Sequence, residues 1–208
     1  MVRGASSSRE DENPLLRVDS AAREAGEPIV RRINDVGDSL STEESIKRLH
    51  QELGGRPDLV FQCPGKGVRP WDAPEGFVCL YESFFSASVG LYLPLPKLLV
   101  AYCEERDLAF SQLIAGSIRG IICLLVTGVR VGIDVDPFIM EYAMKTSKNS
   151  TMPRTWYLSF KPSCRLLRSA GFKLDGWATK YFFVKINRCS VPYPNRGYKT
   201  AWTDSLGR

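Results

Sequence analysis

Apolar positions recur at helical spacing along much of this chain, and they predict a series of short helices. Ser41 and Glu44 have the spacing of a capping box, and Ile46, Leu49 and Leu53 follow on one face before Gly54 and Gly55. Phe77, Leu80, Tyr81, Phe84 and Phe85 predict a second short helix. Leu93-Pro94-Leu95-Pro96 predicts a turn into a third, with Pro96 in its first turn and Leu98, Leu99, Tyr102 and Cys103 as its buried face. The longest helix is expected over 117–131, with Ser117 as its N-cap and apolar residues nearly all round. Asp136 before Pro137 reads as a cap for a further helix carrying Phe138, Ile139, Tyr142 and Ala143, with Lys145 and Lys148 at its C-terminal end.

Two segments break this period. Residues 155–160 and 181–186 are rich in aromatic and β-branched residues, so both read as strands that pair with each other. Leu59–Gln62 is a short strand inside a Pro- and Gly-rich linker. The expected fold class is α+β, mainly helical: a small helical bundle with a short antiparallel strand pair. Residues 1–40 lack apolar periodicity and read as a disordered tail. Residues 41–76 read as a short helix and linker, 77–187 as the helical domain, and 188–208 as an irregular tail.

A helix as apolar as 117–131 belongs in a core or a membrane. Arg119 and Arg130 bracket only ten uncharged residues, whereas a span needs about 20. The two arginines lie eleven positions apart, about three turns, so they share one edge of a core helix. The N-terminus has no apolar signal core. Glu10, Asp11 and Glu12 argue against a transit peptide despite Ser6, Ser7 and Ser8. The expectation is an intracellular protein, cytoplasmic or nuclear, with no membrane partner.

Charge changes the picture only in the last third. The chain carries a net +5, but residues 1–56 carry −2, residues 57–143 carry −4 and residues 144–208 carry +11. There Arg154, Lys161, Arg165, Arg168, Lys173, Lys180 and Lys185 interleave with Trp156, Tyr157, Phe160, Trp177, Tyr181, Phe182 and Phe183. Basic grooves with stacking aromatics bind single-stranded nucleic acid, so these seven cations are the candidate interface.

Catalytic chemistry finds little footing. The six cysteines form no C-x-x-C pair and His50 is the single histidine, so neither a zinc site nor a nucleophile–histidine pair is expected. Gly65-Lys66-Gly67 lacks the spacing of a phosphate-binding loop. Asp134, Asp136 and Glu141 are the one tight acidic group, and Asp136 reads better as a helix cap than as a metal ligand. No cofactor and no small-molecule substrate are expected.

Several pieces of the middle of the chain match a known pattern in order and rough spacing. They are Tyr81-Glu82-Ser83-Phe84-Phe85, Leu93-Pro94-Leu95-Pro96 with Leu98-Leu99, Ala109-Phe110-Ser111-Gln112-Leu113, Ser117-Ile118-Arg119, Trp156-Tyr157-Leu158-Ser159-Phe160, Gly176-Trp177, and Tyr181-Phe182-Phe183-Val184. Over 75–187 the chain resembles the gypsy-type transposon domain of plant retroelement-derived reading frames. The resemblance implies descent from a mobile element and does not imply transposase activity. Members often continue into long charged helical regions, so a chain stopping at Arg208 reads as a short copy. The expected function is therefore a non-enzymatic, retrotransposon-derived domain of structural or assembly type. The alternative is a nucleic-acid-binding module using the basic aromatic third. The expected partners are a second copy of the chain or nucleic acid.

Overall fold

The computed structural model describes residues 36–164 and 174–207. Among these the order is α1 (Glu43–Glu52), β1 (Phe61–Gln62), β2 (Phe77–Tyr81), α2 (Lys97–Glu105), α3 (Ala115–Val131), α4 (Pro137–Ala143), β3 (Met144–Lys148), β4 (Trp156–Phe160) and β5 (Tyr181–Lys185). The strands form two small antiparallel sheets, one ordered β1-β5-β2 and the other a β3-β4 pair.

The expectation of a mainly helical bundle with one strand pair is overturned. Four helices and five strands mix, and the three-stranded sheet lies at the centre of the core. The misreading has a physical origin at 77–85. Val78, Cys79, Leu80 and Tyr81 are all buried, so β2 is covered on both faces and lacks the in–out alternation that marks a strand. Only Glu82–Phe85 winds, as a tight 3-10 turn. The strand pairing is also corrected: β5 lies between β1 and β2, with Tyr181 opposite Tyr81 and Val184 opposite both Val78 and Phe61, while β4 pairs with β3. Met144–Lys148 is too polar to announce itself as a strand. Lys145 and Lys148 sit in β3 rather than at the end of α4.

Caps are shifted or confirmed residue by residue. Thr42, not Ser41, caps α1: its Oγ1 accepts from Ser45 N at 3.1 Å, and Ser45 Oγ accepts from Thr42 N at 3.0 Å. Asp136 caps α4 as expected, with Oδ1 accepting from Ile139 N at 2.8 Å. Ser117 lies inside α3, not at its cap. Its buried Oγ accepts from Leu158 N at 2.8 Å and so stitches the helix to β4.

The segments outside helices and strands pack closely. Ser39 Oγ donates to Tyr181 O at 2.6 Å and accepts from Tyr181 N at 3.0 Å, so the chain joins β5 ahead of Ser41. Residues 188–207 form no helix or strand, yet Val191 and Trp202 are buried. Trp202 Nε1 donates to Ser111 Oγ at 2.9 Å, and Gln112 Nε2 donates to Thr203 O at 2.8 Å.

Candidate docking surface

The long apolar helix is half core and half surface. Ser117, Ile121, Leu124 and Gly128 follow the 4-3-4 spacing of one helix face, and all are buried. Val126 and Val129 lie toward the other side, 47% and 81% exposed. The expected core helix with one arginine-bearing edge is thus buried along one face, and its second half also opens apolar side chains to the surface.

A glycine-built turn then carries the apolar surface from α3 to α4. Gly132 adopts a left-handed φ of 71°, and Ile133 N donates back to Gly128 O at 2.8 Å, closing the helix. Val135 folds onto Gly128, which has no side chain to obstruct it. In α4, Met140 and Ala143 turn inward, while Phe138 and Tyr142, four residues apart, are 79% and 71% exposed. An ion pair between Arg106 and Glu141 ties α4 to the end of α2, and Lys161 Nζ donates to Glu141 O at 2.7 Å.

Between residues 126 and 142 the chain thus presents six exposed large apolar side chains: Val126, Val129, Val131, Ile133, Phe138 and Tyr142. From side-chain transfer areas this amounts to roughly 500 Å². Val126 and Val129 share one side of α3, and apolar side chains left open together in this way mark candidate interaction sites. Arg130 and Asp134 are exposed within the same stretch.

Of the seven cations expected to bind nucleic acid, four are described, and two of these, Arg154 and Lys161, are engaged within the protein. Arg154 faces Trp71 and Trp202, with its guanidinium carbon 5.4 and 5.8 Å from the ring centres, and it donates to Trp202 O. That geometry clamps the C-terminal segment to the body. Lys161 is committed to the Glu141 carbonyl. Lys180 and Lys185 are exposed at opposite ends of β5, about 17 Å apart along a strand. Arg165, Arg168 and Lys173 lie outside the described residues. Of the aromatics meant for stacking, Trp156, Tyr181, Phe182 and Phe183 are buried, and Phe160 and Trp177 are half-buried against the core. Tyr157 alone is exposed among them, at 37%.

The other candidates also have structural duties. Asp136 caps α4, Glu141 pairs with Arg106, and Asp134 stands apart at the turn, so the acids do not converge. His50 Nε2 bonds to Arg56 O at 2.9 Å, with its ring edge-on to Phe61. Among the described residues no group of three His, Cys, Asp or Glu side chains is placed to hold a metal ion. All six cysteines are free thiols, and burial pushes the Cys79 and Cys103 thiols well up from their usual range. Burial also raises the Tyr102 and Tyr181 phenols to about 12. A cleft of about 410 Å³ lies between α2 and the C-terminal segment, but Arg196 pairs with Glu104 at 3.1 Å and Lys199 pairs with Asp107 across it, so its charges are met internally.

Sequence reasoning missed the α3–α4 surface because it placed the apolar residues of 117–131 and of the helix after Asp136 in the core. The available signal was the excess: a helix apolar all round has more greasy area than one neighbouring layer can cover.

Among the described residues no helix is long and apolar enough to cross a membrane. No family model matches the chain, and no solved structure matches it. The chain is 32% identical over 170 residues to the meiosis-specific protein ASY2 of Arabidopsis thaliana, a match covering 80% of this chain and 12% of that protein. It is also 32% identical over 155 residues to an uncharacterised Arabidopsis thaliana protein described as chloroplastic, covering 74% of this chain and 19% of that one. The chain therefore spans less than a fifth of the length of the curated relatives it matches.

Proposed function

We propose that this chain is a non-enzymatic assembly domain that docks protein through the apolar surface of α3 and α4. The observation that carries the reading is the exposure of Val129 and Phe138, each about four-fifths open, on helices whose opposite sides are packed into the core. Burying an exposed apolar side chain of this size is worth about 1.5–3 kcal/mol, so such a surface favours association. Further support comes from the candidate catalytic and nucleic-acid residues, whose described members are mostly engaged in caps, clamps and ion pairs. Retroelement descent belongs to the same proposal. Its matching pieces, such as Phe84, Leu99, Leu113 and Phe182, are buried packing positions, so they speak of a shared fold and not of shared chemistry. Similarity to a meiosis-specific protein favours the nucleus over the cytoplasm as the setting.

The test uses 8-anilinonaphthalene sulfonate, which fluoresces on exposed apolar surface, with dilute protein. The native chain is expected to enhance its emission, and Val129→Glu combined with Phe138→Glu should remove most of the enhancement while the circular dichroism stays unchanged. Equal dye binding by the native and doubly substituted chains would overturn the docking reading.

A further inference from the structure

We infer that the partner of the α3–α4 surface is a second copy of this chain, joined about a two-fold axis with Arg130 of each copy against Asp134 of the other. This pairing rests on the docking reading of that surface and adds its occupant.

Charge is the first reason. Arg130 and Asp134 are both exposed, flank the apolar residues Val131 and Ile133, and neither has an ion-pair partner among the described residues. Asp136, the next acid, is occupied as the cap of α4. A surface that carries one unpaired cation and one unpaired anion beside its apolar stretch is complementary to itself. A two-fold axis between the positions satisfies both charges twice, as an isologous interface requires. A strongly basic or acidic partner would leave one of the two charges opposed by its like.

Spacing is the second reason. Ile122, Val126 and Val129 repeat at intervals of four and three, the seam along which one helix packs against another. Val126 and Val129 are the open part of that seam, and Ile122 is half-buried. Val126 lies about 160° round α3 from Leu124, so the open end of the seam can meet a second α3 without displacing that buried face.

Area sets the strength. Two copies covering the surface fully would bury about 1,000 Å², below the 1,200–2,000 Å² of stable complexes and within the weak class. The dimer is therefore of the weak, reversible class. Rim charges contribute mostly to specificity and register, so reversing one of them places like charges together and costs more than deleting it.

The experiment is sedimentation equilibrium on the full chain from about 1 to about 300 µM. The native chain should pass from monomer to dimer. Arg130→Asp alone and Asp134→Arg alone should each weaken the dimer about tenfold or more. An equimolar mixture of these two singly substituted chains should recover native-like dimerisation, because both contacts across the axis are then Asp against Arg. Circular dichroism of each variant confirms that it folds. The inference is overturned if the native chain stays monomeric throughout, if either single variant dimerises like the native chain, or if the mixture does not recover. A native monomer whose dye binding still falls with the Val129→Glu and Phe138→Glu pair would sink the second copy and leave the docking surface standing. Native and doubly substituted chains that bind the dye equally would sink both.

Discussion

Replacing Gly128 by Ala should destabilise this protein, against the usual rule for helices. In an exposed helix interior, glycine to alanine gains about 1 kcal/mol, because alanine loses less backbone freedom on folding. At 128 a Cβ would run into Val135 Cγ2 and lie 2.8 Å from Ile133 O. The carbonyl is backbone and cannot swing aside. It belongs to the turn that Ile133 N closes onto Gly128 O. Overpacking of this kind costs about 1–3 kcal/mol, so the net effect is a loss of up to about 2 kcal/mol. Gly120 is the internal control. A Cβ there meets Met144 Cε at 2.7 Å, the far end of a flexible side chain, and Phe160 Cε2 only at 4.0 Å. Met144 can rotate away, so Gly120→Ala should be neutral or slightly stabilising. Urea unfolding followed by circular dichroism reads the difference. With a slope of about 2 kcal/mol/M, the Gly128→Ala midpoint should fall by up to about 1 M while the Gly120→Ala midpoint holds or rises. A Gly128→Ala midpoint at or above native would refute the packing of Val135 on the helix, and with it the placement of the turn that presents Ile133 and Asp134.

Three further outcomes follow from the packing. Ser117→Ala removes the acceptor of the buried Leu158 N–H and should cost about 1–3 kcal/mol in the same urea assay; an unchanged midpoint would mean that α3 and β4 are not joined there. Arg154→Ala should release the clamp on Trp71 and Trp202, seen as a red shift of tryptophan emission, whereas a role confined to solvent contact predicts no shift. Tyr102 and Tyr181 have phenols raised by burial to about 12 from an ordinary 10, so the folded state holds their protons more tightly than the unfolded state does. Their contribution is fully present below pH 10 and is lost as pH climbs through about 12. Tyrosinate absorbance should show a late-ionising class that shrinks in Tyr102→Phe, and titration of every tyrosine near 10 would contradict it.

Helix ends and one cap were legible because their signals are local. Asp136-Pro137 and Gly54-Gly55 act within a few residues, and they sit where their chemistry requires. Strand identity at β2 was not legible, because burial on both faces of Val78–Tyr81 erases the alternation that a strand shows when one face meets water. β3 was hidden for the opposite reason: Lys145, Thr146, Ser147 and Lys148 carry little apolar signal, and the strand exists because β4 offers a ladder to pair with. The basic aromatic third looked like one surface in the sequence. In three dimensions its aromatics mostly fill the core, and two of its cations, Arg154 and Lys161, serve as braces. Composition places charge along a chain, but only packing decides which charges share a face. The same limit hid the docking surface, since Phe138 and Tyr142 look like core residues until Met140 and Ala143 are seen to take the inward side of α4.

The most direct measurement is the rate at which a maleimide labels a cysteine introduced by Val129→Cys, read by mass spectrometry on its own peptide and compared with Ile121→Cys. Position 129 should react quickly in dilute solution and slow as protein concentration rises, while 121 stays protected throughout. Equal protection of both positions in dilute solution would contradict a helix with one face in the core and one face open for assembly.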